Sequence, residues 1–147
     1  MINPFSDEFF MKEALKEAQK AIDANEVPIG AVLVANNRII SRAHNQVETL
    51  NDPTAHAEML VITAGCNALG NKFLEDCTLY ITLEPCPMCA GALNWSRVGK
   101  VVYAAKDPKG GCSNHSPSIL HPKTKFFQGD LNEESLTLLQ TFFNSKR

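Results

Sequence analysis

The stretch CTLYITLEPCPMCAGALNWSRVGKVVYAA, Cys77 to Ala105, decides the architecture. Its two ends, CTLYITL and KVVYAA, are short and rich in β-formers, and read as buried strands. Between them PCPMCAGALNWSRVG reads as a helix with prolines at its entrance, where a missing N–H costs little. Working upstream, a helix is expected from Ala55 to about Leu69, with Thr54 as its N-cap and Gly70 at its end. The segment Asn45 to Thr54 is polar, contains NDPT, and reads as a loop. PIGAVLV and RIISRAH are two strands, and the Asn36-Asn37 turn between them tolerates left-handed dihedrals. Ser6 caps an amphipathic helix running to about Ala24, with Asp7 and Glu8 placed to complement its dipole. Downstream, KDPKGGCSNHSPSILHPKTK is a long loop with one helical turn at most. FFQG is a last short strand, and Leu131, Ser135, Leu138, Leu139, Phe142 and Phe143 outline a terminal helix. Val27 and Ile29 look like core residues. The order α-β-β-α-β-α-β-(β)-α implies a mixed sheet covered by helices, in an α/β layer architecture.

The chain has 147 residues, 44% hydrophobic and 20% charged, which suits one domain (residues 1–147) with a single substantial core. No apolar run approaches the ~18 residues that span a bilayer, and the charged N-terminus lacks a signal-peptide core. A cytoplasmic protein without membrane contact is expected. Five cysteines, an odd number, argue against a disulfide framework. Cys66, Cys77 and Cys112 are isolated and read as small buried hydrophobes. Net charge is −2, but residues 94–147 hold eight Lys/Arg against four Asp/Glu. That asymmetry permits a basic face.

Only Cys86 and Cys89 have ligand spacing. At a helix N-terminus both sulfurs can face one point, and the dipole there favours thiolates. A redox dithiol, half of a structural zinc site and part of a catalytic zinc site all use this spacing. A structural site needs a second close ligand pair, and none exists. His56 lies 30 residues before Cys86, also at a helix start. One His and two Cys give three zinc ligands and leave the fourth position for water, the composition of a catalytic site. Such a zinc lowers the pKa of water toward ~7. Glu58, two residues after His56 in DPTAHAEML, can reach the open position without binding metal and work as general base, then acid. A non-enzymatic zinc-stabilised module would not need Glu58 there.

His-Ala-Glu followed by Pro-Cys-x-x-Cys resembles the zinc-dependent cytidine/nucleobase deaminase superfamily, whose signature has this form. The resemblance covers almost the whole chain and is closest to the bacterial tRNA-specific adenosine deaminases. It rests on EVPIGAVLV (Glu26–Val34), HN (His44–Asn45), NDPTAHAEM (Asn51–Met59), TLYITLEPCPMCAGAL (Thr78–Leu93), SRVGKVVYAAKDPKGG (Ser96–Gly111) and LHPKT (Leu120–Thr124). It implies a three-layer cytidine-deaminase-like fold with a five-stranded mixed sheet, a homodimer, and one Zn2+ per chain. It also implies conversion of the wobble adenosine of a tRNA anticodon loop to inosine. By the same resemblance His56, Cys86 and Cys89 are zinc ligands and Glu58 is the proton shuttle. Asn45 would bond the target base, the Ala57 N–H would contact it, and Pro28 to Ala31 would line its pocket. The backbone carbonyl of Glu84 would receive the departing amine, its side chain being structural. Asp107 and Lys109 would meet the anticodon backbone, and Lys106, Lys146 and Arg147 would add phosphate contacts. Trp95 is expected in the core or at the dimer interface. YAAKD, PCPMC and NW are also similar to guanine deaminases of the same superfamily, which leaves a free-base deaminase as the alternative. The amphipathic C-terminal helix and the LHPKT loop favour the tRNA enzymes.

Overall fold

The computed structural model describes residues 4–147. Its elements are helix α1 (Asp7–Asp23), strands β1 (Gly30–Ala35) and β2 (Arg38–His44), helix α2 (Ala57–Leu69), strand β3 (Thr78–Leu83), helix α3 (Pro87–Ser96), strands β4 (Lys100–Ala105) and β5 (Lys125–Gln128), and helix α4 (Asn132–Ser145). The five strands lie in the order β2-β1-β3-β4-β5. β1 pairs antiparallel with both β2 and β3, whereas β3, β4 and β5 run parallel, so the sheet is mixed as expected.

Strand alternation explains the layers. Ala31, Leu33, Leu79, Ile81, Val101 and Tyr103 face one side, where Val61 of α2 and Leu93 of α3 cover them. Val32, Val34, Tyr80, Val102 and Ala104 face the other, against Phe10, Met11 and Ala14 of α1. Each central strand is thus apolar on both faces, which is why CTLYITL and KVVYAA read as continuous apolar runs. On the α1 side, α4 packs against β3, β4 and α1, and the Ser135 hydroxyl donates to the Thr82 carbonyl at 2.7 Å. The result is three layers, α2/α3, sheet and α1/α4.

Local chemistry sets the boundaries. Asn36 and Asn37 both have positive φ (51° and 60°), as the tight β1–β2 hairpin needs. Ser6 caps α1 by accepting the Phe9 N–H at 3.0 Å, and Gly70 ends α2 in the left-handed conformation. Gly30 has a packing reason: a Cβ there would lie 2.2 Å from the Ala14 carbonyl oxygen and 2.4 Å from the Ala18 nitrogen. Only glycine lets the α1 backbone rest directly on β1.

Three expectations are corrected. α2 starts at Ala57, with His56 rather than Thr54 as its N-cap. Asp52 Oδ1 takes both the N–H and the hydroxyl of Thr54 at 2.8 Å, so this local turn outcompetes the helix cap. Of the two places expected for Trp95, the structure excludes the core. The residue is 84% exposed, because α3 turns Ala90 and Leu93 inward and Trp95 outward. Val27 is half-buried because it lines the cleft described below, whereas Ile29, also half-buried, packs against the core as expected. Cys77 and Cys112 are buried as expected, and Cys66 is half-buried.

Candidate zinc and nucleotide site

In an open α/β sheet, ligands gather beyond the carboxyl ends of the strands. Here the carboxyl ends of parallel β3 and β4 leave the sheet together. β3 runs through Glu84 and Pro85 into α3, with Cys86 as the N-cap and Cys89 in the first turn. α2 packs beside α3 and brings its own N-cap, His56. Two helix N-termini therefore converge, and both dipoles favour negative sulfur.

His56 Nδ1 lies 3.7 Å from Cys86 Sγ and 3.5 Å from Cys89 Sγ. A tetrahedral zinc with ordinary Zn–S and Zn–N lengths separates these atoms by about 3.6 Å. The donor set fits the metal. Among the described residues, these three are the one His/Cys/Asp/Glu cluster placed to hold a metal ion, with ligand atoms all within 4.8 Å of one another. The Cys89 thiol donates to the Cys86 sulfur, which holds Cys86 down at about 5, while the thiolate so formed pushes Cys89 far up.

Glu58 follows in the first turn of α2 and is 4% exposed. Burial pushes its carboxyl up to about 7, helped by the Cys86 charge and opposed by hydrogen bonding and by His56. A carboxyl poised there is suited to accept and return a proton near neutral pH.

Asn45 is buried and comes from the end of β2. Its Oδ1 accepts the Ala57 N–H at 2.8 Å, capping α2 from twelve residues away. The Ala57 N–H expected to face a base is therefore engaged by Asn45. That bond fixes the amide orientation and turns Nδ2 the other way. Glu84 is structural as expected. Its buried carboxylate accepts the Asp107 N–H (3.1 Å), the Ser113 N–H (2.9 Å) and the Ser113 hydroxyl (2.5 Å). Gly111 packs on this carboxylate so closely that a Cβ would lie 2.4 Å away. Asp107 uses its Oδ1 on the Lys109 and Gly110 N–H groups (3.3 and 2.9 Å), leaving the Lys109 side chain exposed on the loop.

A cleft of about 570 Å³ opens beside His56. Ala24 to Val27 form one wall, Asn45 and Val47 to Thr49 another, and Phe142 and Lys146 of the terminal helix a third. Lys146 Nζ contacts Asn25 Oδ1 and lies 5.3 Å from the Phe142 ring centre. Pro28 is buried, and none of Pro28 to Ala31, expected to line the pocket, is among the residues lining this cleft; the residues just before them, Ala24 to Val27, are. Sequence reading gave Glu26, Val47 and Thr49 no role. Their sole signal was the charged Glu26 heading an apolar run. The positive excess of residues 94–147 is divided in space. Arg97, Lys100, Lys123 and Lys125 line a separate cavity of about 420 Å³ at the amino ends of β3, β4 and β5, away from His56.

A three-layer α/β fold carrying one His, two Cys and an adjacent buried Glu is the architecture of the zinc-dependent deaminases. Residues 5–105 match the cytidine and deoxycytidylate deaminase zinc-binding region, and the chain belongs to that family. It is 55% identical over 146 residues to the tRNA-specific adenosine deaminase of Bacillus subtilis (strain 168), covering 96% of this chain and 91% of that protein. A structure from studies of A-to-I editing by tRNA:A34 deaminases at the wobble position superposes with a TM-score of 0.84 at 43% identity. That match covers 90% of this chain and 99% of the other. The guanine deaminase of Bacillus subtilis matches at 37% identity and a TM-score of 0.67, covering 95% and 94%.

Proposed function

We propose that this chain is a zinc-dependent hydrolytic deaminase that converts the wobble adenosine of a tRNA anticodon to inosine, releasing ammonia. The carrying observation is that Asn45 and His56 line one cleft together with Phe142 and Lys146 of the chain's end. A single purine needs no such wall, whereas a nucleotide in a chain has a flanking base for the aromatic ring and a phosphate for the lysine. The greater sequence identity with tRNA deaminases than with the guanine deaminase supports the same reading over a free-base enzyme.

His56, Cys86 and Cys89 would hold one zinc, which supplies Lewis acidity at its fourth position. The remaining work belongs to the chain. Asn45 Nδ2 donates to the base edge and orients the purine. Glu58 takes a proton from the water that attacks C6 and delivers it to the purine ring nitrogen N1. Glu58 then takes the proton of the new C6 hydroxyl and passes it to the amine; the C6–N bond breaks as the C6 carbonyl forms, so one water is consumed and one ammonia released. The burial that raises Glu58 keeps competing water from its carboxyl. Lys109, Lys146 and Arg147 meet loop phosphates.

The same reading includes a homodimer acting in the cytoplasm. Exposed Trp95 lies beside Ile62, Phe73 and Ala92 around a surface cavity of about 630 Å³, an apolar patch that suits a second copy. Among the described residues no helix is long and apolar enough to cross a membrane. The decisive experiment incubates the purified protein separately with an anticodon stem-loop and with guanine, and measures ammonia. Release from the stem-loop alone is expected. Release from guanine alone would replace this reading with the free-base one.

A further inference from the structure

Glu26 is a buried carboxylate, 1% exposed, with no Lys or Arg in ion-pair distance among the described residues. A buried charge of this kind is costly unless donors replace its water shell. Three do. The Glu48 N–H donates to Oε1 at 3.1 Å, and the Thr49 N–H and hydroxyl both donate to Oε2 at 2.6 Å. Burial by itself pushes the carboxyl up, and these donors outweigh it and hold Glu26 below the usual carboxylate range. The geometry matters more than the charge. Glu26 belongs to the Ala24–Val27 segment of the cleft lining, and all three donors belong to the Val47–Thr49 segment that lines the same cleft. The second segment continues directly from Asn45, whose N–H is held by the Ile29 carbonyl at 3.1 Å.

We propose that Glu26 is a positioning residue that ties the two walls of the cleft together and so sets the width presented to a nucleotide in an RNA chain. It touches no reacting atom. It acts through the 45–49 segment, and the inference rests on the anticodon reading above. A neutral Glu26→Gln side chain keeps the size but turns an amide N–H₂ toward at least one of the donors, so one clamp bond is exchanged for a repulsive contact. The wall then samples wider positions, and binding weakens before chemistry does.

The test measures steady-state kinetics on an anticodon stem-loop, together with zinc content and amide hydrogen exchange. Glu26→Gln should keep zinc, raise KM about tenfold, lower kcat by less than that, and speed exchange at 46–50. Thr49→Val removes one donor and should raise KM in the same direction, and Thr49→Ser, which keeps the hydroxyl, should raise it less. The double variant Glu26→Gln/Thr49→Val should be no worse than Glu26→Gln, because the bond is already lost. Wild-type KM with full zinc, or a loss confined to kcat, would overturn the proposal. If Glu26→Gln does not fold, the two Thr49 variants decide it by their order. A wild-type protein inert on the stem-loop sinks the anticodon reading. Exchange at 46–50 then decides the clamp alone, and unchanged protection in the variants removes it.

Discussion

At the scale of single residues, the proposed mechanism assigns metal binding and proton transfer to different side chains. Glu58→Gln keeps volume and polarity but carries no proton, so it should fold, retain zinc and lose at least ~10²-fold in turnover. Elemental analysis beside an ammonia assay checks both halves, and turnover near that of the wild type would remove Glu58 from the mechanism. Cys86→Ala should behave oppositely. It should lose zinc, activity and stability together, because metal binding is coupled to folding. A full zinc complement in Cys86→Ala would strike it from the ligand set. The ligands were legible because their identity and spacing are local properties of the chain. Thr54 misled for a local reason too: two good hydrogen-bonding residues, Asp52 and Thr54, compete for the same few backbone groups. The outcome leaves His56 at the cap position with no side-chain cap bond, free to turn Nδ1 toward the sulfurs.

At the scale of elements, α1 and β1 meet through bare backbone. Gly30→Ala places its methyl against Ala14 and Ala18 backbone atoms that cannot move independently. The cost should be on the order of 3 kcal/mol in a denaturant titration, and a change below ~0.5 kcal/mol would show that α1 shifts freely. Titration of Glu26 acts on the neighbouring loop. Its carboxyl is depressed in the folded chain, so its contribution is complete above the unfolded pKa of about 4.3 and fades as pH falls through the lower folded value. Unfolding midpoints taken between pH 6 and pH 3 should therefore fall less steeply for Glu26→Gln than for the wild type. Identical slopes would show that Glu26 is not ionised in the fold. Helices and strands could be read from period and caps, since the apolar faces of α1, β3 and β4 repeat within a few residues. Glu26 and Gly30 could not. The partners that give them meaning lie 22 residues away at Glu48 and on another element at Ala14, and only packing brings them together.

For the whole molecule, the net charge of −2 hides a local arrangement. Lys146 stands at the cleft mouth, whereas Arg97, Lys100, Lys123 and Lys125 line a cavity at the other end of the sheet. Binding of an anticodon stem-loop should weaken with salt, and Lys146→Ala should reduce the slope of log K against log salt by about one contact. An unchanged slope would place Lys146 off the RNA. The charge bias of the last 54 residues was visible in the sequence, but its division between two ends of the sheet was not, because chain order does not map onto surface position.

The two ligand-bearing helices also impose a timetable on synthesis. His56 leaves the ribosome 30 residues ahead of Cys86, an interval of about 2–6 s at ordinary elongation rates. Over that interval all of α2 and β3 are added to β1 and β2, while Cys86 and Cys89 are still to come. Strand β3 lies beside β1 and leads directly into α3, whose first turn carries Cys89. A chain that stops short of Cys89 therefore lacks part of the cluster placed to hold a metal, however well its first hairpin has formed.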